Sequence, residues 1–283
     1  MEHLFRECRP EAIFHAAAYK HVPLMEQNVC GAVQNNILGL TSLLDVARDG
    51  HCQTFILISS DKAVNPSSVM GATKRIGELI IAHQPNNGMR CLSVRFGNVL
   101  GSNGSIVPVF QQQLRKNEPL TVTHPEIRRF FMTIREAVSL VLQASVIGEK
   151  GDTLVLDMGE PLAILELART MIRLSGRNEK QVAIQFTGLR PGEKLIEELF
   201  YAYEDVCPTS CPKIKKARGP AQDWTTLSQK LEELEATLFL NGSETVRSKI
   251  KEIVPEYMCD HTRPTSTKLS EEAFSAPSRR RIA

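Results

Sequence analysis

Three short apolar runs, separated by helical stripes, decide what this chain can fold into. Ala12–Ala18 (AIFHAAA) precedes Val33, Ile37, Leu40, Leu44 and Ala47, which fall on one helical face. Thr54–Ser60 (TFILISS) is a continuous apolar run of the kind buried on both faces of a parallel sheet. A helix is expected from about Met70 to His83, with Ile76, Leu79 and Ile80 inward, and Cys91–Gly97 (CLSVRFG) reads as a third strand. Strand, helix, strand, helix, strand predicts a doubly wound α/β sheet.

After Gly101 the rhythm loosens. Gly97, Gly101 and Gly104 punctuate a loop followed by Pro108 rather than by a clear helix, and Thr121–Phe131 reads as extended loop. A helix over Arg135–Ala144 and a strand over Thr153–Met158 come next. Ile164, Leu167, Ala168, Met171 and Ile172 then mark a helix ending at Gly176. Val182–Thr187 is a further strand; Leu227, Leu231, Leu234 and Leu238, then Val246, Ile250 and Ile253, mark two late helices. The polar stretch from about residue 260 is expected to be disordered.

Composition narrows the class. Among 283 residues, 42% are hydrophobic and 23% charged, as in ordinary globular proteins. A net charge of +2 gives no case for nucleic acid. No apolar stretch approaches the ~20 residues a membrane span needs, and Met1–Pro10 lacks the form of a secretory signal, so a cytoplasmic chain is expected. Seven cysteines at scattered positions show neither a disulfide framework nor zinc-ligand spacing, and no metal site is expected.

A dinucleotide-binding sheet should begin with a strand, a Gly-rich turn and a helix whose N-terminus receives the pyrophosphate. Nothing before Ala12 supplies this, so the chain reads as the rear portion of such a sheet, lacking its first strands. Glu2–Arg9 looks like the end of a helix leading into a strand already mid-sheet. The neighbour of Ala12–Ala18 would then be absent and an apolar edge bare, inviting a second copy or a partner that supplies the missing half.

The stretch richest in chemistry is Ser59–Arg75 (SSDKAVNPSSVMGATKR). A strand ends at Ser59–Ser60, a loop holds Asp61 and Lys62, and a helix carries Lys74. In short-chain dehydrogenases a Tyr four residues before such a Lys is the acid/base; here that position is Met70, which cannot exchange a proton.

The motifs HAAAYKHVPLMEQN (15–28), NNILG (35–39), ISSDKAVNPSSVMGATKR (58–75), RFGNVLGSNGSIVP (95–108), VTHPEIRRFFMT (122–133), LDMGEP (156–161) and FTGLRPGEKLIEEL (186–199) carry a resemblance. The chain resembles the nucleotide-sugar 4,6-dehydratases of bacterial polysaccharide biosynthesis, in the extended short-chain dehydrogenase/reductase superfamily, over roughly residues 5–258. It is most similar to long, membrane-anchored members acting on UDP-N-acetylglucosamine, in which Met at the Tyr position is usual. The resemblance implies a truncated Rossmann-like domain over 1–120, a mixed substrate-binding region over 121–258 with a returning strand near 153–158, and a tail over 259–283. It also implies a cofactor, NAD or NADP, and a UDP-sugar substrate.

The implied cycle moves a hydride from sugar C4 to the cofactor, eliminates water across C5 and C6, and returns the hydride to C6. Asp61 is assigned as general acid and Lys62 as base; that needs the Asp61 pKa raised and the Lys62 pKa lowered. Cofactor contacts are implied at Ala16, Ala17, Asn36, Ser59 and Lys74; Asn36 fixes a water or backbone, or is simply a capping or core residue. Substrate contacts are implied at Lys20, Asn98, Ser105, Val107, Arg128 (or Arg129), Arg190 and Glu193. Arginine forks suit phosphate and uracil oxygens, and Glu193 suits ribose hydroxyls. Lys20 and His21 either touch the sugar or are structural. Two rivals remain: a nucleotide-sugar 4-epimerase, which needs no Asp–Lys pair, and an inactive fragment or subunit.

Overall fold

The computed structural model describes residues 1–258 apart from 18, 86, 87, 103, 221 and 241; the expected disordered tail over 259–283 lies outside them. The chain opens with α1 (Glu2–Cys8) and β1 (Ala12–His15), followed by α2 (Val22–Gln27) and α3 (Val29–Val33). A π-helical turn, Gln34–Leu38, joins α3 to α4 (Gly39–Asp49). The predicted stripe Val33, Ile37, Leu40, Leu44, Ala47 is buried along this unit.

β2 (Thr54–Ile58) leads through a 3-10 turn, Asp61–Ala63, into α5 (Val69–His83), and β3 (Arg90–Arg95) follows. The Ser68 side chain starts α5 by accepting from Gly71 N at 3.1 Å. β2 is a continuous apolar run and β3 is buried without alternation, Ser93 and Arg95 included, because helices cover both sides of the sheet.

β4 (Asn98–Val99), α6 (Ile106–Arg115), β5 (Leu120–Val122), β6 (Arg128–Arg129) and β7 (Phe131–Met132) form the loosened middle. Two expectations are corrected here. A helix does follow the glycine cluster: Pro108 falls in the first turn of α6, where a missing backbone N–H costs nothing. Thr121–Phe131 is also not one loop, since parts of it pair with distant strands.

α7 (Ile134–Ile147) starts at Thr133, whose hydroxyl accepts from Glu136 N at 3.2 Å. Then come β8 (Thr153–Leu156), β9 (Leu162–Ala163), α8 (Ile164–Leu174), β10 (Ile184–Phe186), β11 (Asp205–Pro208), β12 (Ile214–Arg218), α9 (Trp224–Leu240) and α10 (Ser243–Ile253). Among the described residues no helix is long and apolar enough to cross a membrane.

The six-stranded sheet runs β1-β2-β3-β8-β12-β11. β1, β2, β3 and β8 are parallel, and β12 and β11 close the far side antiparallel. This is the expected α/β class. Phe55, Leu57 and Cys91 face a core under α4, α5, α9 and α10, while Ile56, Leu92 and Leu154 face a second core under α7. A third, smaller core joins Phe110, Leu120, Val122, Ile164 and Ile172 beneath the parallel pair β5–β10. β1 lies at the end of the sheet order, and Phe14 on it is 42% exposed.

Candidate functional site

In open parallel sheets ligands bind beyond the carboxyl ends of the strands. That is where the loops after β1, β2 and β3 meet the wall built on the third core. Between them lies a cavity of about 490 Å³, reached by Ala16, Lys62, Met70, Lys74 and Asn98 from the sheet side. Arg129, Arg190, Glu193 and Glu197 line it from the other.

The loop after β2 is held by continued pairing: Ser59 N donates to Val94 O at 2.8 Å and Asp61 N to Phe96 O at 3.0 Å. Lys62 Nζ donates to Asp61 Oδ1 at 2.9 Å and to Asn98 Oδ1 at 3.2 Å. Asp61 is fully buried, lies behind Lys62 rather than in the cavity wall, and its Oδ2 has no hydrogen-bond partner among the described residues. Burial pulls the Lys62 ammonium down, but Asp61 and Glu197 outweigh it and hold the pKa above the ordinary value. The lowered Lys62 that a resting base requires is therefore not found; a lysine locked to a buried carboxylate stays charged.

Two glycines let these parts approach. A Cβ on Gly71 would stand 2.2 Å from the Lys62 carbonyl oxygen, so α5 meets the loop backbone to backbone. A Cβ on Gly97 would stand 2.9 Å from Asp61 Oδ2.

Met70 and Lys74 sit one helical turn apart and both reach the cavity, as the spacing predicts. Lys74 Nζ donates to Ile58 O at 2.8 Å. Burial lowers its pKa to about 8, with Glu78 opposing the drop. An ammonium has three donors, and the two left over suit the paired hydroxyls of a ribose, so the site fits the nicotinamide end of a dinucleotide.

Asn36 takes the backbone alternative. From the π-helical turn its Oδ1 accepts from Tyr19 N at 2.8 Å, and its Nδ2 donates to Tyr19 O at 3.0 Å and Thr73 Oγ1 at 2.9 Å. It clamps the loop after β1 to α5 and does not line the cavity. Ala16 does line it and Ala17 does not. Ser59 lines it, but its hydroxyl donates to Glu78 Oε1 at 2.7 Å.

Glu78 belongs to a buried network that sequence reasoning missed. Arg95 donates to it through Nε at 2.9 Å and Nη2 at 2.8 Å, and Arg75 adds 3.1 Å. Arg95 also reaches Glu204 Oε2 at 2.8 Å and Oε1 at 2.9 Å. Burial would raise Glu78; Arg95, Arg75 and the Ser59 hydroxyl overcome that and hold it at about 2.

Lys20 and Asn98 on the sheet side and Ser105, Arg190 and Glu193 opposite all line the same cavity. One pair of alternatives is separated, and one assignment shifts by a residue. Arg128 is exposed and outside the cavity, whereas Arg129 is buried and lines it. Val107 is outside it, whereas Ile106 lines it. Arg129 Nη2 donates to Glu193 Oε1 at 3.2 Å, and Glu193 Oε2 accepts from Arg190 N at 3.1 Å, closing the RPGE turn on itself. The turn is pinned to the near wall by Ser67 Oγ on Gly192 O (2.9 Å) and Lys194 Nζ on Val64 O (3.0 Å). Arg190 makes no ion pair among the described residues, leaving its fork for an anion. Glu197, also missed, lines the cavity at 5% exposure. Its signal was a pair of acids, Glu197 and Glu198, set between apolar residues in Leu195–Leu199.

The geometry can be set beside known proteins. The profile of the polysaccharide biosynthesis protein family matches residues 1–219. The capsular polysaccharide biosynthesis protein CapD of Staphylococcus aureus is 53% identical over 198 residues, covering 69% of this chain but 33% of its own length. This chain thus spans about a third of that relative. Pen from Bacillus thuringiensis superposes with a TM-score of 0.70 at 30% identity, covering 79% of this chain and 70% of that one. The dTDP-glucose 4,6-dehydratase DesIV of Streptomyces venezuelae, solved with NAD bound, shares the fold. Its TM-score is 0.63 at 19% identity, covering 70% of this chain and 71% of that one. With more than half of its length matched by the profile, the chain belongs to the polysaccharide biosynthesis protein family.

Proposed function

We propose that this chain carries the substrate-facing part of an NAD(P)-dependent nucleotide-sugar 4,6-dehydratase acting on a UDP-N-acetylhexosamine. The observation that carries the reading is one cavity holding a lysine locked to a buried aspartate (Lys62–Asp61) beside the Met70–Lys74 pair. An epimerase needs the hydride step alone; a dehydratase also needs groups to move protons at C5 and C6, and the Lys62 side supplies one.

When bound, NAD(P)+ would supply a hydride acceptor for C4 and a donor for C6, and the O4 proton, which Met70 cannot take, would pass to solvent in the cavity. Lys74, with two donors unspent, holds the ribose beside the sugar. Met70 closes that side of the cavity with a side chain that exchanges no proton, so proton traffic moves to the Lys62 side. Arg190 offers a fork to the diphosphate, Glu193 accepts from ribose hydroxyls, and Arg129 orients Glu193. Backbone pairing of Ser59 and Asp61 fixes the loop while these groups work.

Incubating the protein with UDP-N-acetylglucosamine and NAD+ tests the reading. Loss of one water and formation of a 4-keto-6-deoxy sugar, followed by mass spectrometry, is the expected outcome. A C4 epimer of unchanged mass overturns it in favour of an epimerase. No binding of UDP-sugar by calorimetry overturns it in favour of a chain without catalytic function of its own.

A further inference from the structure

The family profile ends at residue 219, and beyond it α9 and α10 pack against α5, the helix that carries Met70 and Lys74. Arg247 on α10 reaches back to Glu26 in α2. Its Nη1 donates to Glu26 Oε2 at 2.8 Å and its Nη2 to the Glu26 carbonyl oxygen at 2.7 Å. Glu26 Oε1 in turn accepts from Val69 N, the first amide of α5, at 2.6 Å. The segment after α10 lies over the same place: Arg247 Nη1 donates to the Tyr257 hydroxyl at 3.0 Å, and Met258 N to Pro66 O at 2.9 Å.

The first N–H groups of any helix lack an acceptor within it. Ser68 answers Gly71 N, and the Val69 amide is met by Glu26, whose charge also suits the positive end of the helix dipole. A carboxylate whose side chain is only 15% exposed needs a countercharge to stay there. Arg247 supplies it and grips the Glu26 backbone as well. Met70 stands one residue past Val69 and Lys74 five past it, so a stiff helix passes any slip of its first residue to both cavity side chains. Resting on the part given to Met70 and Lys74 above, we infer that Arg247 is a positioning residue: acting through Glu26, it fixes the start of α5 and so seats Lys74 in the cavity.

Other ties in this neighbourhood fall before the helix begins. Tyr201 Oη donates to Ala63 O at 2.7 Å, Lys194 Nζ to Val64 O and Ser67 Oγ to Gly192 O. They hold the loop that leads to α5, whereas Glu26 holds the helix's own first amide. The seat of Lys74 can be read directly. Its Nζ donates to Ile58 O, and burial brings its pKa to about 8. Glu78 on the same helix and His15 on β1 are the titratable groups that feel its charge. A helix start that slips admits water to the ammonium, which raises the pKa.

The test is competitive acetylation of the full chain without substrate or cofactor, read by peptide mass spectrometry across a pH series, which gives the pKa of Lys74. Arg247→Met should move it up by about one unit, toward the ordinary 10.5, cutting the neutral amine at about pH 8 roughly fivefold. Ile250→Val trims the buried face of α10 without touching Glu26; it should lower the urea midpoint and leave Lys74 where it is. In a Glu26→Ala background, Arg247→Met should add no further shift. An unmoved Lys74 in Arg247→Met overturns the inference, as does an equal shift in Ile250→Val or additive shifts in the double variant. A wild-type Lys74 that titrates at the ordinary value overturns it too. Should Arg247→Met fail to fold, Arg247→Lys replaces it, keeping a cation but losing the two-point grip: a smaller upward shift supports the inference, and wild-type titration overturns it. No sugar enters this titration. An epimer as product, or failure to bind UDP-sugar, therefore defeats the dehydratase reading alone and leaves the role of Arg247 to be decided by Lys74.

Discussion

Behind the loop Ser59–Ala63, Glu78 accepts from Ser59, Arg75 and Arg95, and Glu204 accepts from Arg95 and from Tyr201 N. In front of the same loop, Ser105 Oγ has no partner among the described residues, and Glu197 is 4.0 Å from its nearest cation. Both regions are buried and charged, and they follow opposite rules. The rear group is saturated, and each donor it uses ties β2, β3, α5 and the 199–204 segment to one another. The front group is left with capacity to spare. Saturation makes a rigid base, and unspent capacity facing a cavity marks where a ligand completes the hydrogen bonding.

The contrast is sharpest in stability. Glu78→Gln should cost roughly 3–5 kcal/mol, since it leaves Arg95 and Arg75 half-paired in the interior. Urea unfolding should show a lower midpoint with an unchanged slope. Acid reports the same group. Its folded pKa, about 2, lies below the ordinary 4.5, so the unfolded chain binds more protons between these values. The stabilisation is complete above about pH 4.5 and is lost as pH falls toward 2; the variant should lack that slope. If Glu78→Gln is as stable as wild type, the rear network is not a scaffold and the comparison breaks.

Glu197→Leu should move stability far less and in the opposite direction, between neutral and about 1 kcal/mol more stable, because it removes an unmet buried carboxyl. Thermal unfolding reads this, and a marked loss would show that Glu197 is structural. The smallest effect belongs to Arg190→Ala. Its stability should stay within about 0.5 kcal/mol of wild type, as for surface changes generally, while UDP affinity by calorimetry drops about tenfold or more. Unchanged UDP affinity would remove Arg190 from the front group.

Local chemistry made much of this readable in the sequence. TFILI and CLSVR announce strands covered on both faces, and the spacing of Met70 and Lys74 places them on one helical face whatever surrounds them. Pro108 hid α6, because a proline after glycines looks like a break unless the helix start is already known. Arg128 and Arg129 were indistinguishable because a two-residue strand carries no alternation long enough to say which side faces in. The rear network was invisible for a different reason: Arg95 meets partners 17 and 109 positions away, and neither separation follows any helical or strand period. Glu197 was likewise one acid among several in a quoted motif until the fold set it in one cavity with Lys62.

The close meeting of Gly71 with the Lys62 carbonyl has a mechanical consequence. With main chain on main chain, the backbone offset between Lys62 and the helix carrying Lys74 is set by close packing and not by any intervening side chain. Helix and loop must travel as one block whenever the protein breathes. A chemist redirecting this scaffold toward another sugar would gain little by altering that block, and would remodel the side chains of the Arg129–Glu197 side instead.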